Sequence, residues 1–482
     1  MNTNDIKNDK ITYDEASDLV IIDASTADID GRVRAIASKS HAHRLLIAAA
    51  LSDRQSRVIT SDTSKDIEAT IGCLNALGAT ITRERDYISV TPISISNNPV
   101  AHSIQNSQFI PADCGESGST LRFMIPIIGA LGINTSITMH GRLSERPLSP
   151  MYEELIAHGM QLSPQGSNPL YISGRLNAGE YTIAGNISSQ FVTGLLLALP
   201  IVKLFNANEP ATDNDYNNNR IASPISTLHV TGRLESRPYV DITLDALKSS
   251  DIFITEERLD NGDTLFHIPA DQTYHVNENV IVDGDWSNAA FFLAAGAIMA
   301  PKHEGKNITM NGLNTESLQG DKKVLSILEK FGADIQISED NSIINGNQLI
   351  TISPAPLHGI DIDAADIPDL VPILSVVASV AEGTTTIRNI ERLRIKESDR
   401  VKTVIETLSA LGADIYEENN TIVINGKEYL EGGTVDSFND HRIAMAAAIA
   451  SLRCKNKVII KNPRAVDKSY PGFYDDLIQI LH

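Results

Sequence analysis

The chain has 482 residues, 42% of them hydrophobic, 21% charged and only 5% aromatic, a globular composition too long for one ordinary core, so two domains are expected. Its 40 Lys and Arg against 61 Asp and Glu give a formal charge of −21, which disfavours nucleic acid and anionic lipid as partners and requires any anion site to be a local basic focus. Cys73, Cys114 and Cys454 are too scattered for a disulfide framework or metal cluster, residues 1–10 lack the core of a secretory signal, and no apolar run approaches the ~20 residues that span a bilayer, so a cytoplasmic protein is expected.

In chain order, MNTNDIKNDKITYDEASD reads as a loosely attached tail, and LVIIDA as a strand with no helix of its own. From Ser38 a pattern begins. SKSHAHRLLIAAAL is an Ala/Leu-rich helix, RVIT a strand, and a second, amphipathic helix ends in LNALGATI, where a capping Gly precedes a new strand. The pattern returns with ESGSTLRFMIPIIGAL, TSITMHG and the degenerate ending LIAHGMQLS. A third pass opens with ISSQFVTGLLLALPI; an Asn-rich polar insertion at 205–223 interrupts it before STLHVTG.

The fourth pass runs DWSNAAFFLAAGAI, NITMNG, LEKFGADIQI, and the fifth IPDLVPILSVVASV, TTTIRN, LSALGADIYE. The sixth opens with NDHRIAMAAAIASL and KVIIKN. The first helix of each unit is apolar all round and therefore buried, and the second lies at a surface. Six such units divide into two α/β domains of three; an eightfold barrel period is absent.

Charged and hydroxyl residues gather where the buried helices begin and in the loops after their strands. Lys39, Ser40 and Arg44 open the first; Glu116, Ser117, Gly118, Ser119 and Arg122 the second, with Arg146 following. Ser188, Ser189 and Gln190 open the third, followed by Ser236 and Tyr239; Asp369 opens the fifth, followed by Lys396, Glu397 and Arg400; Asp440, His441 and Arg442 open the sixth, followed by Lys468. Helix N-termini attract anions, Arg grips carboxylate or phosphate bidentately, and Lys adds a point charge. If these ends face across a cleft, the site suits two polyanionic ligands.

Each residue alone also has a plain reading. Ser and Asp at helix starts are N-caps, Trp286 is packing, and KESDR at 396–400 is an exposed helix start on which Lys396 and Arg400 share a face. Recurrence of cations at one phase of a repeat is what favours a site. His41 and His43 have no further ligands around them for a metal, and P-loop, strand-linked GxGxxG, CxxC, HExxH and GxSxG patterns are absent.

The motifs SKSHAHR, ESGSTLRF, ERP, SSQF, SRPYVDI, IPDL, KESDR, NDHR and DKSYP, in this order, resemble the 5-enolpyruvylshikimate-3-phosphate synthases, over the chain from about residue 20 to its end. The resemblance implies two domains, each of three βαββαβ-type repeats with buried helices, joined by two crossover strands. One domain would then be discontinuous, 1–37 with 279–482, around an inserted domain at 38–278. It implies transfer of enolpyruvyl from phosphoenolpyruvate to the 5-hydroxyl of shikimate 3-phosphate with release of phosphate, with no metal or cofactor. A monomer is expected, and because six helix ends must converge to bury both ligands, its domains are expected to close on shikimate 3-phosphate.

By the same resemblance, Lys39, Ser40, Arg44, Ser188, Ser189, Gln190, Ser236, Asp369 and Lys396 hold shikimate 3-phosphate. Lys39, Gly118, Arg146, Gln190, Arg400, Arg442 and Lys468 hold phosphoenolpyruvate. Lys39, Asp369 and Glu397 are the catalytic groups, and a tetrahedral ketal phosphate lies between addition and elimination. The chain departs from many relatives at Glu116-Ser117-Gly118-Ser119, where they carry Asn-Ala-Gly-Thr, and at Arg392, where they carry Asn; Arg392 receives no ligand role. Gly118 keeps the small residue, so glyphosate inhibition is expected. The alternatives are the sister enzyme acting on UDP-N-acetylglucosamine, whose reactive cysteine Cys114 does not match (it reads as a half-buried thiol), and a non-catalytic member of the fold.

Overall fold

The computed structural model describes residues 10–25, 27–60, 62–93, 108–203, 225–299, 305–339 and 348–482; the insertion expected at 205–223 lies outside them. The chain forms two compact units. Unit 1 comprises Met1–Lys39 with Asp283–His482, and unit 2 Ser40–Val282. The sequence places the second boundary at 278/279, but residues 279–281 pair in parallel with Arg57–Ile59 and so belong to a sheet of unit 2.

Twelve α-helices alternate in character along the described chain. Helices α1 (Lys39–Leu51), α3 (Gly118–Leu131), α5 (Ser189–Ala198), α7 (Trp286–Ala297), α9 (Val371–Ser379) and α11 (His441–Ala450) are buried along almost their whole length. In α9 every residue is buried, which its VPILSVVAS sequence permits because no side chain needs water beyond two serines that bond backward to Val371 and Ser375 carbonyls. Between them, α2 (Lys65–Ala76), α4 (Met151–Ala157), α6 (Arg237–Lys248), α8 (Val324–Phe331), α10 (Arg400–Ala410) and α12 (Phe473–Ile480) bury one face only. The recurring Gly after the second helix explains itself: Gly78, Gly159, Gly332 and Gly412 have φ of 103°, 99°, 104° and 96°, a left-handed stop that costs a residue with Cβ.

Six four-stranded sheets accompany these helices, three in each unit. Residues 361–363, 384–388, 414–418 and 421–425 show the common plan. The first strand is parallel to the second (Asp361↔Thr386), and the last two form a hairpin that pairs antiparallel with the second (Ile387↔Ile422, Ile415↔Ile424). The element order is therefore strand, helix, strand, helix, strand, strand, rather than βαββαβ. The closing hairpin turns through Asn419 and Asn420, both at positive φ, which leaves no room for a helix between its strands.

Two units depart from chain order. Gly31–Arg34 leads toward α1 yet pairs with Ile308–Leu313 of unit 1, whereas Asn279–Ile281 leads toward α7 yet pairs with Ser56–Ile59 of unit 2. The sixth sheet takes its hairpin from the other end of the chain. Ile11–Asp14 pairs with Leu19–Ile22, which pairs antiparallel with Val458–Lys461 (Leu19↔Lys461). Residues 10–18 are thus not loosely attached, and the strand that lacks a helix of its own follows, in space, the C-terminal α12. Alternating burial, with Val20 and Ile22 inside, fixes that register.

Candidate active site

In unit 1 the site grows around Arg400. Its side chain is 1% exposed and three carboxylates surround it: Nη1 donates to Asp369 Oδ1 at 2.6 Å, Nη2 to Glu397 Oε2 at 2.6 Å, and Nε to Asp440 Oδ2 at 2.8 Å. Burial by itself would lower the pKa of this guanidinium, but Asp440, Glu397 and Asp369 raise it well above the ordinary value. Lys396 Nζ also reaches Asp369 Oδ1, at 3.3 Å, and Arg442 Nε stands 3.6 Å from it while Nη1 donates to the Asp369 carbonyl. Burial depresses the Lys396 ammonium, with Asp369 opposing.

KESDR is not one helical face. Lys396 is extended (φ −80°, ψ −158°) after a 3-10 turn, and Asp399 caps α10, accepting from Lys402 N at 3.2 Å. The helix starts only at Arg400, so Lys396 and Arg400 converge on Asp369 from a loop and a helix. Asp369 likewise lies in a 3-10 turn, Pro368–Leu370, just ahead of α9.

The same unit holds Lys39 and Lys468. Lys39 begins α1, its backbone N donating to Asp285 Oδ2 at 3.1 Å; Lys468 closes a 3-10 helix and donates from Nζ to Asn439 O at 2.7 Å. His441, the first residue of α11, is buried, and burial, Lys39 and Arg442 together hold its imidazole well below its usual pKa. Asp321 is buried with a hydrogen bond from Ser287; burial first, then the charge of Asp369, pushes it up to about 6, while Arg442 opposes.

In unit 2 the buried Arg44 joins three helices. Nε donates to Thr243 Oγ1 at 2.7 Å, Nη2 to Thr193 Oγ1 at 3.3 Å and Tyr239 O at 2.8 Å, and Nη1 to Ser40 O at 2.5 Å. Burial brings its pKa down to about 10. The start of α5 meets the start of α3: Gln190 accepts from Arg122 Nη1 at 2.9 Å and donates to Ser119 Oγ at 2.8 Å. Ser117 and Ser188 cap α3 and α5, accepting from Thr120 N and Gln190 N, so the plain capping reading holds for both. Ser189 is buried beside Gln190.

Arg146 differs from these. Its backbone N donates to Leu143 O at 3.2 Å, but among the described residues its side chain makes no hydrogen bond or ion pair, and the buried Nε has no acceptor. It lies against the Cα of Gly118, where an added Cβ would come 2.6 Å from Nη1. Ser236, ahead of α6, is buried at φ 52°, ψ 37°, a left-handed conformation costly for a residue with Cβ.

Seven of the sequence-derived site residues therefore stand in unit 1 (Lys39, Asp369, Lys396, Glu397, Arg400, Arg442, Lys468), and eight in unit 2 (Ser40, Arg44, Gly118, Arg146, Ser188, Ser189, Gln190, Ser236). Sequence reasoning named Asp440 and Arg122 at helix starts but gave neither a site role; Asp440 caps α11 and also holds Arg400, and Arg122 orients Gln190 and lies 5.5 Å over the Phe191 ring. The charge of Arg122 inside an otherwise apolar helix was the available signal. Cys114 is not half-buried but wholly buried, and burial raises its thiol pKa far out of the reactive range. No described group of three or more His, Cys, Asp or Glu is placed to hold a metal. No described helix is long and apolar enough to cross a membrane.

Each unit thus gathers cations and hydroxyls at the starts of buried helices, which is chemistry for anions. The family model of EPSP synthase (3-phosphoshikimate 1-carboxyvinyltransferase) matches residues 24–208 and 220–477. The chain is 39% identical to the 3-phosphoshikimate 1-carboxyvinyltransferase of Clostridium kluyveri over 93% of this chain and 94% of that one. It is 40% identical to that of Clostridium acetobutylicum over 94% and 95%. Among solved structures, EPSP synthase from Acinetobacter baumannii superposes with a TM-score of 0.74 at 22% identity, covering 96% of this chain and 98% of that one. The enolpyruvyl transferase NikO from Streptomyces tendae gives 0.67 at 14% identity with the same coverage. These two likenesses are of fold.

Proposed function

The chain belongs to the EPSP synthase (3-phosphoshikimate 1-carboxyvinyltransferase) family, and from that premise we propose how its own groups carry the reaction. It transfers the enolpyruvyl group of phosphoenolpyruvate to the 5-hydroxyl of shikimate 3-phosphate and releases phosphate. Two anions repel, so the first task of the site is to neutralise them and bring the hydroxyl to the enol carbon.

Asp369 is assigned as general base for the 5-hydroxyl. Lys396, Arg400 and Arg442 lie within 3.6 Å of its Oδ1, which favours the ionised carboxylate a base needs. As Asp369 takes the proton, the hydroxyl oxygen bonds to C2 of the enol, and Glu397, assisted by Lys39, delivers a proton to the methylene carbon. The tetrahedral ketal phosphate then loses phosphate to the cations while Glu397, left as a carboxylate by the first step, takes a proton back from the new methyl group, so that the C–O bond to phosphate breaks as the enol double bond re-forms. Shikimate 3-phosphate is assigned to Lys39, Ser40, Arg44, Ser188, Ser189, Gln190, Ser236, Asp369 and Lys396. Phosphoenolpyruvate is assigned to Lys39, Gly118, Arg146, Gln190, Arg400, Arg442 and Lys468.

The observation that carries this reading is the fork of Arg400, with one Nη on each of the two carboxylates assigned to proton transfer, both at 2.6 Å. A chain working as a monomer in the cytoplasm completes the proposal. The test is phosphate release from phosphoenolpyruvate with shikimate 3-phosphate, and with UDP-N-acetylglucosamine as the second acceptor. Release with the sugar nucleotide alone overturns the assignment. Lys39→Met should abolish release with thermal unfolding unchanged, and retained turnover removes Lys39 from the catalytic set.

A further inference from the structure

The starts of α1 and α7 are stitched side by side, and the stitch continues to the loop of Lys468. Residues 36–38 run antiparallel to 283–285: Ala37 bridges Gly284, Ser38 N donates to Asp283 O at 2.7 Å, and Asp285 N to Ile36 O at 2.8 Å. At Gly284 an added Cβ would lie 2.1 Å from the Gly312 carbonyl oxygen, so only glycine permits this approach. One buried carboxylate can then serve two helix starts. Asp285 Oδ1 accepts from Asn288 N at 2.8 Å, and its Oδ2 from Lys39 N at 3.1 Å.

Asn288 carries the line onward. Its side chain is 1% exposed, and Nδ2 donates at 3.0 Å to Oγ of Ser469, which is also buried and follows Lys468 directly. An amide in the first turn of a helix otherwise packed with Ala, Phe and Leu loses hydration that an apolar residue would not miss. Packing does not call for it. What the amide supplies is the last bond of a line that runs from Lys39 N through Asp285 and the Asn288 backbone N–H to the residue beside Lys468.

We propose that Asn288 is a positioning residue for enolpyruvyl transfer: through Asp285 on one side and Ser469 on the other, it sets Lys39 and Lys468 relative to each other. This rests on the assignment of both lysines to phosphoenolpyruvate. Misplacement by about 1 Å of a group that grips a substrate costs on the order of ten- to a hundredfold.

The test compares Asn288→Ala, Ser469→Ala, the double variant and Lys468→Ala in steady-state kinetics, with thermal unfolding beside each. Asn288→Ala and Ser469→Ala should each raise KM for phosphoenolpyruvate about tenfold and leave KM for shikimate 3-phosphate within about twofold. The double variant should cost no more than either single change, because both remove one hydrogen bond from its two ends. Additive losses, or equal losses for both substrates, overturn the proposal, since a merely structural residue gives that result. If Lys468→Ala raises KM for phosphoenolpyruvate while the other variants do not, positioning alone fails. If Lys468→Ala leaves it unchanged, the lysine assignment itself fails. Should Asn288→Ala not fold, Ser469→Ala removes the same bond and decides between the same outcomes.

Discussion

Arg146 lies against the bare Cα of Gly118, so close that a Cβ there would sit 2.6 Å from its Nη1 and 2.8 Å from Nη1 of Arg122. The glycine is a condition for where the guanidinium stands, and this guanidinium has no hydrogen-bond or ion-pair partner among the described residues. Gly118→Ala should therefore displace Arg146 and raise KM for phosphoenolpyruvate by roughly tenfold, with kcat less affected. The unaltered enzyme should be inhibited by glyphosate, an anion, and the alanine variant less so. Inhibition curves for the two proteins check this, and an uninhibited parent enzyme defeats it.

Arg400, besides the binding role proposed for it, ties together buried carboxylates. Removing it leaves Asp440, 0% exposed, and the largely buried Asp369 without their strongest partner. Breaking a buried ion pair from one side costs about 3–5 kcal/mol, so Arg400→Ala should unfold at markedly lower urea as well as lose turnover. Lys402 offers the contrast: its ion pair with Glu406 lies exposed at 3.6 Å, and Lys402→Ala should change stability by less than ~0.5 kcal/mol. Urea titrations of the two variants side by side read the difference.

Part of this architecture is legible in the sequence, and part is not. Helices buried on all sides must be written in uninterrupted apolar residues, and a left-handed stop needs Gly, so α7, α9 and α11 and the endings at Gly78, Gly332 and Gly412 can be read from local pattern alone. The hairpin of the sixth sheet is invisible because Leu19 and Lys461 are partners across nearly the whole chain, and no local pattern marks such a pairing. KESDR misleads for a related reason. Helical spacing puts Lys396 and Arg400 on one face in expectation, but the helix begins only after its cap at Asp399, and the meeting at Asp369 is made by the fold. Asp440 shows the converse. Its capping role is local and readable, while its grip on Arg400 spans forty positions.

Asp321 should leave a signature in the pH dependence of stability. Burial and the charge of Asp369 raise its pKa from 3.8 to about 6, so between those values the folded protein binds more proton than the unfolded chain. By linkage, that stabilising contribution is fully present below about pH 4 and is lost as pH rises through 6, amounting to about 3 kcal/mol. Asp321→Asn removes the titration. The stability of the parent relative to the variant should thus fall by about that amount between pH 4 and pH 7, as measured by urea unfolding at each pH. Parallel curves would mean that Asp321 titrates as an ordinary carboxyl.

Ser236 holds a conformation that its own chemistry disfavours. At φ 52° and ψ 37°, buried and at the head of α6, it crowds Cβ against the backbone, at roughly 1–2 kcal/mol relative to glycine. It makes no capping bond to α6, so helix stability does not account for retaining serine there. The role on shikimate 3-phosphate proposed for its hydroxyl would account for it. Ser236→Gly should then separate the two effects: unfolding shifts to higher temperature or stays level, while KM for shikimate 3-phosphate rises about five- to tenfold and KM for phosphoenolpyruvate holds. If the glycine variant is less stable and binds shikimate 3-phosphate as before, the left-handed serine belongs to the scaffold, and the phosphate of shikimate 3-phosphate must be held by the serines at the start of α5 without it.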